Sequence, residues 1–165
     1  HAERPIGYCI SEHHNPHLYR MNTQLPTLRV LLVEDELHTS ELMLLLLEME
    51  LFIEVDHAPT LRRAGQLLEL RGGEYDIAIF DNVLPDGQTV AGTIQRFKGL
   101  NPLSPMLMTS GSHPDEQLKA GGPEFSYSLS KPFNKDQFLT TFREMAARRR
   151  EILKPVEFAN ASVAA

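Results

Sequence analysis

A chain of 165 residues, 42% hydrophobic and close to half apolar once glycine is counted, has the length of one domain and enough material for a core, which excludes a two-domain machine. The 16 basic and 22 acidic residues leave a formal net charge of -6, a field that repels phosphate backbones, so direct nucleic-acid binding is excluded and any phosphate handled here needs a local cation. One cysteine, Cys9, forbids an intramolecular disulfide, and no apolar run is longer than Leu42 to Leu47, far below the roughly 18 to 20 residues that span a bilayer, so we expect a soluble, cytoplasmic chain without a membrane partner.

Residues 1–27 carry four of the seven histidines and three prolines with no hydrophobic period, and they read as an irregular arm. Met21 opens a segment that reads as a start, which leaves residues 1–20 open as upstream or non-native sequence. From Leu28 short apolar strands alternate with amphipathic helices. Strand one is Leu28 to Val33, followed by Glu34, Asp35 and Glu36 and a helix from about His38 to Glu50. Strand two is about Phe52 to His57, after which Thr60 caps a helix that Gly72 and Gly73 stop near Arg71. Strand three, Tyr75 to Phe80, ends on Asp81, and the turn Leu84-Pro85-Asp86-Gly87 leads to a helix from about Thr89 to Lys98. Strand four is Met106 to Thr109, with Pro114 opening a short helix that ends at Gly121 and Gly122. Strand five is about Ser126 to Ser130, and a last helix runs from about Lys135 to Leu153 before Pro155 and a flexible tail, 155–165. Such alternation predicts an α/β domain over 28–154, a doubly wound parallel sheet with helices on both faces and its ligands at the carboxyl ends of the strands.

Glu34, Asp35, Asp81, Ser110 and Lys131 all fall at or just beyond strand carboxyl ends. If strands one and three are neighbours, three carboxylates lie about 5 Å apart and repel one another. A hard cation such as Mg²⁺ relieves that repulsion with two or three carboxylates, a backbone carbonyl and water. With Mg²⁺ and the Lys131 ammonium in place, the rim can receive a phosphoryl group, and an aspartate carboxylate can act as nucleophile.

Four motifs, RVLLVEDE, YDIAIFDNVLPDG, PMLMTSGS and SLSKPF, stand in that order between Leu28 and Leu153. In them the chain resembles the receiver domain of two-component response regulators. The resemblance implies a flavodoxin-like five-stranded sheet in the order 2-1-3-4-5. It further implies that Asp81 takes a phosphoryl group from a histidine kinase or histidine phosphotransfer protein, with Mg²⁺ held by Glu34, Asp35, Asp81 and the backbone carbonyl of Val83. Ser110, five residues past Pro105, would be the family's hydroxyl; Lys131 would hold a phosphoryl oxygen and precede a cis proline. Val83 and Ser112 occupy the positions that tune dephosphorylation, and neither is suited to orient water. Where the family often has a switching aromatic ring, this chain has Ser128, with Tyr127 one place early and so on the opposite face. The output would be an altered protein-interaction surface, and the chain would be a signalling module rather than an enzyme.

Each residue also has a plainer reading. Glu34, Asp35 and Glu36 alone would be favourable charges at a helix N-terminus, Asp81 a turn cap, Ser110 a loop hydroxyl and Lys131 a solvated charge. Cys9, His13, His14 and His17 could gather a metal, but in an irregular arm they read by default as linker or tag remnant. Arg148, Arg149 and Arg150 read as complements to the end of their own helix. On a 3.6-residue period Leu42, Met43, Leu46 and Leu47 face the sheet, leaving Leu44 and Leu45 as flanking apolar surface for partner docking, or for burial under the arm or in a dimer. Two rivals stand beside the phosphoacceptor: a receiver-like interaction module that is never phosphorylated, against which the full acidic, hydroxyl and lysine set argues, and an aspartyl phosphatase of the haloacid dehalogenase type, whose second aspartate would fall at Val83. A flavin carrier fits less well, because its phosphate loop would not be acidic.

Overall fold

Strands covered by helices on both faces need continuous apolar runs, and the runs identified above are where the strands form. The computed structural model describes residues 25–82, 84, 90–111 and 127–154. Its strands β1 (Leu28–Val33), β2 (Ile53–Ala58), β3 (Ile77–Asp81), β4 (Met106–Ser110) and β5 (Tyr127–Ser130) form one parallel sheet in the order β2-β1-β3-β4-β5. The helices are α1 (Leu37–Glu48), α2 (Leu61–Arg71), α3 (Val90–Leu100) and α4 (Lys135–Leu153), with one 3-10 turn at Gly72–Glu74. The expected fold class and strand order are those observed.

Helix ends follow from local chemistry. The Glu36 carboxylate caps α1 by accepting from the backbone N–H groups of His38 at 3.0 Å and Thr39 at 2.6 Å. Thr60 Oγ1 accepts from Arg63 N–H at 3.1 Å, and Asn134 and Gln137 close a reciprocal capping box on α4. Gly72 ends α2 at φ +57°, a conformation that a β-carbon disfavours. β3 begins at Ile77 rather than Tyr75. Tyr75 is instead fully buried, its hydroxyl donating to Asp56 Oδ2 at 2.9 Å.

The sheet divides the core. On one face Leu31, Val33, Ala78, Phe80, Met106 and Met108 meet α2 and α3 through Leu61, Leu68, Ile94 and Phe97. On the other, Val30, Leu32, Ile77, Ile79 and Leu107 meet α1 and α4 through Met43, Leu47, Phe138 and Phe142.

Two expectations are corrected. Leu42 is 42% exposed, and Leu44, expected as flanking docking surface, packs against the core; Leu45 stays out, 58% exposed. An unbroken apolar run has no direction in sequence, and the helix settles with Ser40, Met43, Leu46 and Leu47 inward. The arginines of α4 do more than answer their own helix dipole: Arg149 Nε contacts Asp76 Oδ1 at 3.0 Å, and Arg150 Nη2 donates to the Leu51 carbonyl at 3.2 Å. The helix end lies against the amino edge of the sheet, where a fixed carboxylate is a stronger partner than exposed carbonyls.

Residues 1–24, with Cys9, His13, His14 and His17, lie outside the described residues, as do Val83, Pro85 to Thr89, Ser112, the helix expected at Pro114 and the tail 155–165. No helix among the described residues is long and apolar enough to cross a membrane.

Candidate functional site

β1 and β3 pair with Val33 opposite Phe80, so the next residues, Glu34 and Asp81, follow side by side at the carboxyl edge. Strand alternation assigns Glu34, Asp81 and Lys131 to the α1/α4 side of the sheet and Ser110, in step with Met106 and Met108, to the α2/α3 side. Asp35 lies in the β1–α1 connection and is exposed.

Lys131 Nζ lies 2.7 Å from Glu34 Oε2 and 3.0 Å from Asp81 Oδ2. Both carboxylates are buried, Glu34 with 1% and Asp81 with 5% of its surface exposed. Burial pushes the Glu34 carboxyl above its ordinary pKa; the Lys131 hydrogen bond pulls it back, and the Asp81 charge adds to the rise. For Lys131 burial is the largest single influence and works against the charge, but the two carboxylates together outweigh it and hold its pKa above the usual lysine value. The backbone braces this group: Glu34 N–H donates to the Ala58 carbonyl at 3.2 Å, Glu36 N–H to Glu34 Oε1 at 3.2 Å, and Lys131 N–H to the Ser110 carbonyl at 2.6 Å. The Lys131–Pro132 bond is cis, as the resemblance implied.

Glu34, Asp35 and Asp81 each offer a carboxylate oxygen within 4.8 Å of the others. Octahedral Mg²⁺ holds its oxygens at about 2.1 Å, which sets ligand pairs about 3 to 4 Å apart, so this donor set fits a hard divalent cation after small adjustments. The donors are all oxygen, the buried pair carries mutual repulsion that a cation relieves, and the third donor is open to solvent.

The structure thus brings Glu34, Asp35, Asp81 and Lys131 together. It buries Ser110 at the neighbouring end of β4, with Thr109 buried before it. Ser128 pairs in register with Met108, while Tyr127, opposite Leu107, packs on the α1/α4 core, so the ring faces away from the side expected for the family's aromatic switch. The direct contact of Lys131 with the buried Glu34 was not anticipated. Nor was His57, whose Nε2 lies 2.9 Å from the Glu34 carbonyl oxygen. A groove of about 370 Å³ beside the site is lined by Thr39, Leu42, Lys131, Pro132 and Phe133.

Solved structures share this arrangement of strands and helices. A signal receiver domain of an HD domain-containing protein from Pseudomonas fluorescens Pf-5 is 23% identical with a TM-score of 0.68, over 81% of this chain and 97% of that one. The fold is that of response regulator receiver domains. A receiver domain protein described as CheY-like, from Methanospirillum hungatei JF-1, is 24% identical with a TM-score of 0.63, over 76% of this chain and 98% of that one. NtrX from Brucella abortus is 20% identical with a TM-score of 0.65; 77% of this chain matches 29% of that one, so there the receiver fold is part of a longer chain. No family model and no curated protein matches the sequence.

Proposed function

We propose that this chain is a phosphoacceptor receiver of a two-component phosphorelay, with 28–154 as the receiver unit, acting in the cytoplasm. The observation that carries the proposal is the half-buried Lys131 ammonium bridging the buried Glu34 and Asp81 beside a third carboxylate, Asp35. Structural ion pairs do not require a third carboxylate open to water, and a phosphoryl-transfer site does.

In this reading an Asp81 carboxylate oxygen attacks the phosphorus of a phosphohistidine on a histidine kinase or phosphotransfer protein. The O–P bond forms as the N–P bond breaks, and the imidazole leaves with the electron pair and takes up a proton. Glu34, Asp35, Asp81 and the Val83 carbonyl would hold Mg²⁺, which would supply charge neutralisation for the transfer. Lys131 pairs with a phosphoryl oxygen, and its position between two carboxylates keeps it protonated for that task. The Ser110 hydroxyl hydrogen-bonds a second oxygen, and because Ser128 has no ring to move, the response is confined to the β4 side. Val83 and Ser112 leave attacking water unoriented, so the acyl phosphate is long-lived. Leu45, with Leu42 at the groove beside Lys131, forms the docking surface for the donor's helices.

Intact mass after incubation with a small phosphodonor and Mg²⁺ tests the proposal. One added phosphoryl group in the wild type, none in Asp81→Asn and none in chelator is the expected result. An unlabelled wild type would favour an interaction module that is never phosphorylated, and labelling of Asp81→Asn would refute the assignment.

A further inference from the structure

Glu34 and Asp35 are joined by one peptide unit, and a peptide unit is planar, so the direction of the Glu34 carbonyl fixes the plane in which the Asp35 nitrogen and α-carbon lie. That carbonyl lies one residue beyond β1 and has no obligatory strand partner. In this structure it is met by His57, whose Nε2 stands 2.9 Å away on the adjoining strand β2. A carbonyl oxygen only accepts, so the ring nitrogen donates. The preceding peptide is held by the same strand, through Glu34 N–H to the Ala58 carbonyl at 3.2 Å. Consecutive β2 residues therefore hold both backbone polar groups of Glu34, and the second bond lies on the far side of its α-carbon, where it constrains Asp35.

We propose that His57 is a positioning residue for the metal site: by pinning the Glu34–Asp35 peptide it keeps the solvent-facing Asp35 carboxylate aimed toward Glu34 and Asp81. This inference rests on the proposed receiver function for its metal and adds a residue outside the acidic, hydroxyl and lysine set. β2 is the edge strand beside β1, and nothing else among the described residues donates to that carbonyl. Removing the donor frees rotation of one peptide, and the site must then fix Asp35 at the moment of binding, which weakens the metal without dismantling the sheet.

The test uses the full chain and Mg²⁺ alone as ligand, with calorimetric affinity and amide hydrogen exchange at Asp35 in the metal-free protein as readouts. His57→Phe keeps the ring and loses the donor; His57→Thr loses the donor with a good strand former and serves if the first variant does not fold. His57→Gln retains an N–H at similar reach. Val55→Ala weakens β2 at a half-buried position away from the Glu34 peptide. The donorless variants are expected to bind Mg²⁺ about fivefold more weakly, the weight of one net hydrogen bond, and to exchange the Asp35 amide faster. His57→Gln should stay within about twofold of wild type on the same scale, and Val55→Ala should bind Mg²⁺ unchanged. Wild-type affinity in a folded donorless variant, or equal weakening in Val55→Ala, would overturn the role of His57 while leaving the receiver proposal standing. A wild type that binds no Mg²⁺ would overturn both.

Discussion

Replacing Lys131 by methionine removes the ammonium that touches both buried carboxylates while keeping most of the side chain's length. With contacts of 2.7 and 3.0 Å, the gross attraction is large; at an effective dielectric of 20 one unit pair at 3 Å interacts by about 5 kcal/mol. Desolvation offsets most of it, and breaking a buried pair by removing one member costs about 3 to 5 kcal/mol. Lys131 is 22% exposed, so water reaches the vacated position and the lower end applies. For a chain of this size a loss of about 3 kcal/mol lowers Tm by about 9 °C. The Glu34 pKa is raised on folding, so the folded state holds the extra proton between the two values and ionising Glu34 costs stability as pH rises through that window. Without Lys131 the window extends upward, and the loss should be smaller at pH 5 than at pH 8. Lys131's own raised pKa means that its contribution is fully present below its unfolded value of about 10.5 and fades only as pH rises beyond it, so pH 8 lies on a plateau. Mg²⁺ and the ammonium compensate the same carboxylates, so saturating Mg²⁺ should restore most of what the variant lost and add less to the wild type. Thermal melts followed by circular dichroism, in chelator and in Mg²⁺ at both pH values, decide the matter. An unchanged Tm in chelator at pH 8, or a loss of equal size with and without Mg²⁺, would refute the reasoning.

Tyr75→Phe should cost about 1 kcal/mol through its lost bond to Asp56. In the wild type burial and then the Asp56 bond and charge raise the phenol well above its usual pKa, so stability should fall as pH climbs past the unfolded value of about 10. Ultraviolet titration should then show one of the four tyrosines ionising only as the chain unfolds, and four free titrations in the folded state would contradict this. Leu44→Asp should cost about 2 to 3 kcal/mol in urea denaturation and Leu45→Asp less than about 0.5; Leu45→Asp should slow transfer from the kinase while leaving labelling by a small phosphodonor unchanged, and equal loss with both donors would remove Leu45 from the docking surface. Asp76→Ala removes the acceptor of both the Arg29 backbone N–H at 2.9 Å and Arg149 Nε at 3.0 Å, and should cost about 2 to 3 kcal/mol; a double-mutant cycle with Arg149→Ala showing no coupling would contradict that contact.

All five strands could be read to within about two residues because short apolar or alternating runs are bounded by turn and helix-start signals, and the half-exposed β2 and β5 were as legible as the buried β1, β3 and β4. The bounds of α4 agree with those read from the sequence, Lys135 and Leu153; in the structure Asn134 and Gln137 form the capping pair that fixes its start. The rotation of α1 did not emerge, since six apolar residues in a row point in every direction at once and only the sheet decides which of them turns inward. Among site residues, Glu34, Asp35, Asp81 and Lys131 were visible because each ends a strand and carries charge. His57 was not, because its partner is a backbone carbonyl, which has no letter of its own. The pairing of Lys131 with Glu34 was hidden for a related reason: a charge at a strand end announces that it needs a partner, and only the register chooses which.

Among the described residues the two apolar layers share no side chain. For protein engineering the sheet is therefore a partition wall. Libraries that rebuild the α1/α4 layer should combine nearly additively with libraries that rebuild the α2/α3 layer, since substitutions without shared neighbours couple weakly. Ser110 and Asp81 belong to opposite sides of that wall and meet only at its rim. A lineage can thus repack one side with little consequence for the other, with selection for compatibility concentrated on the few residues at the crossing.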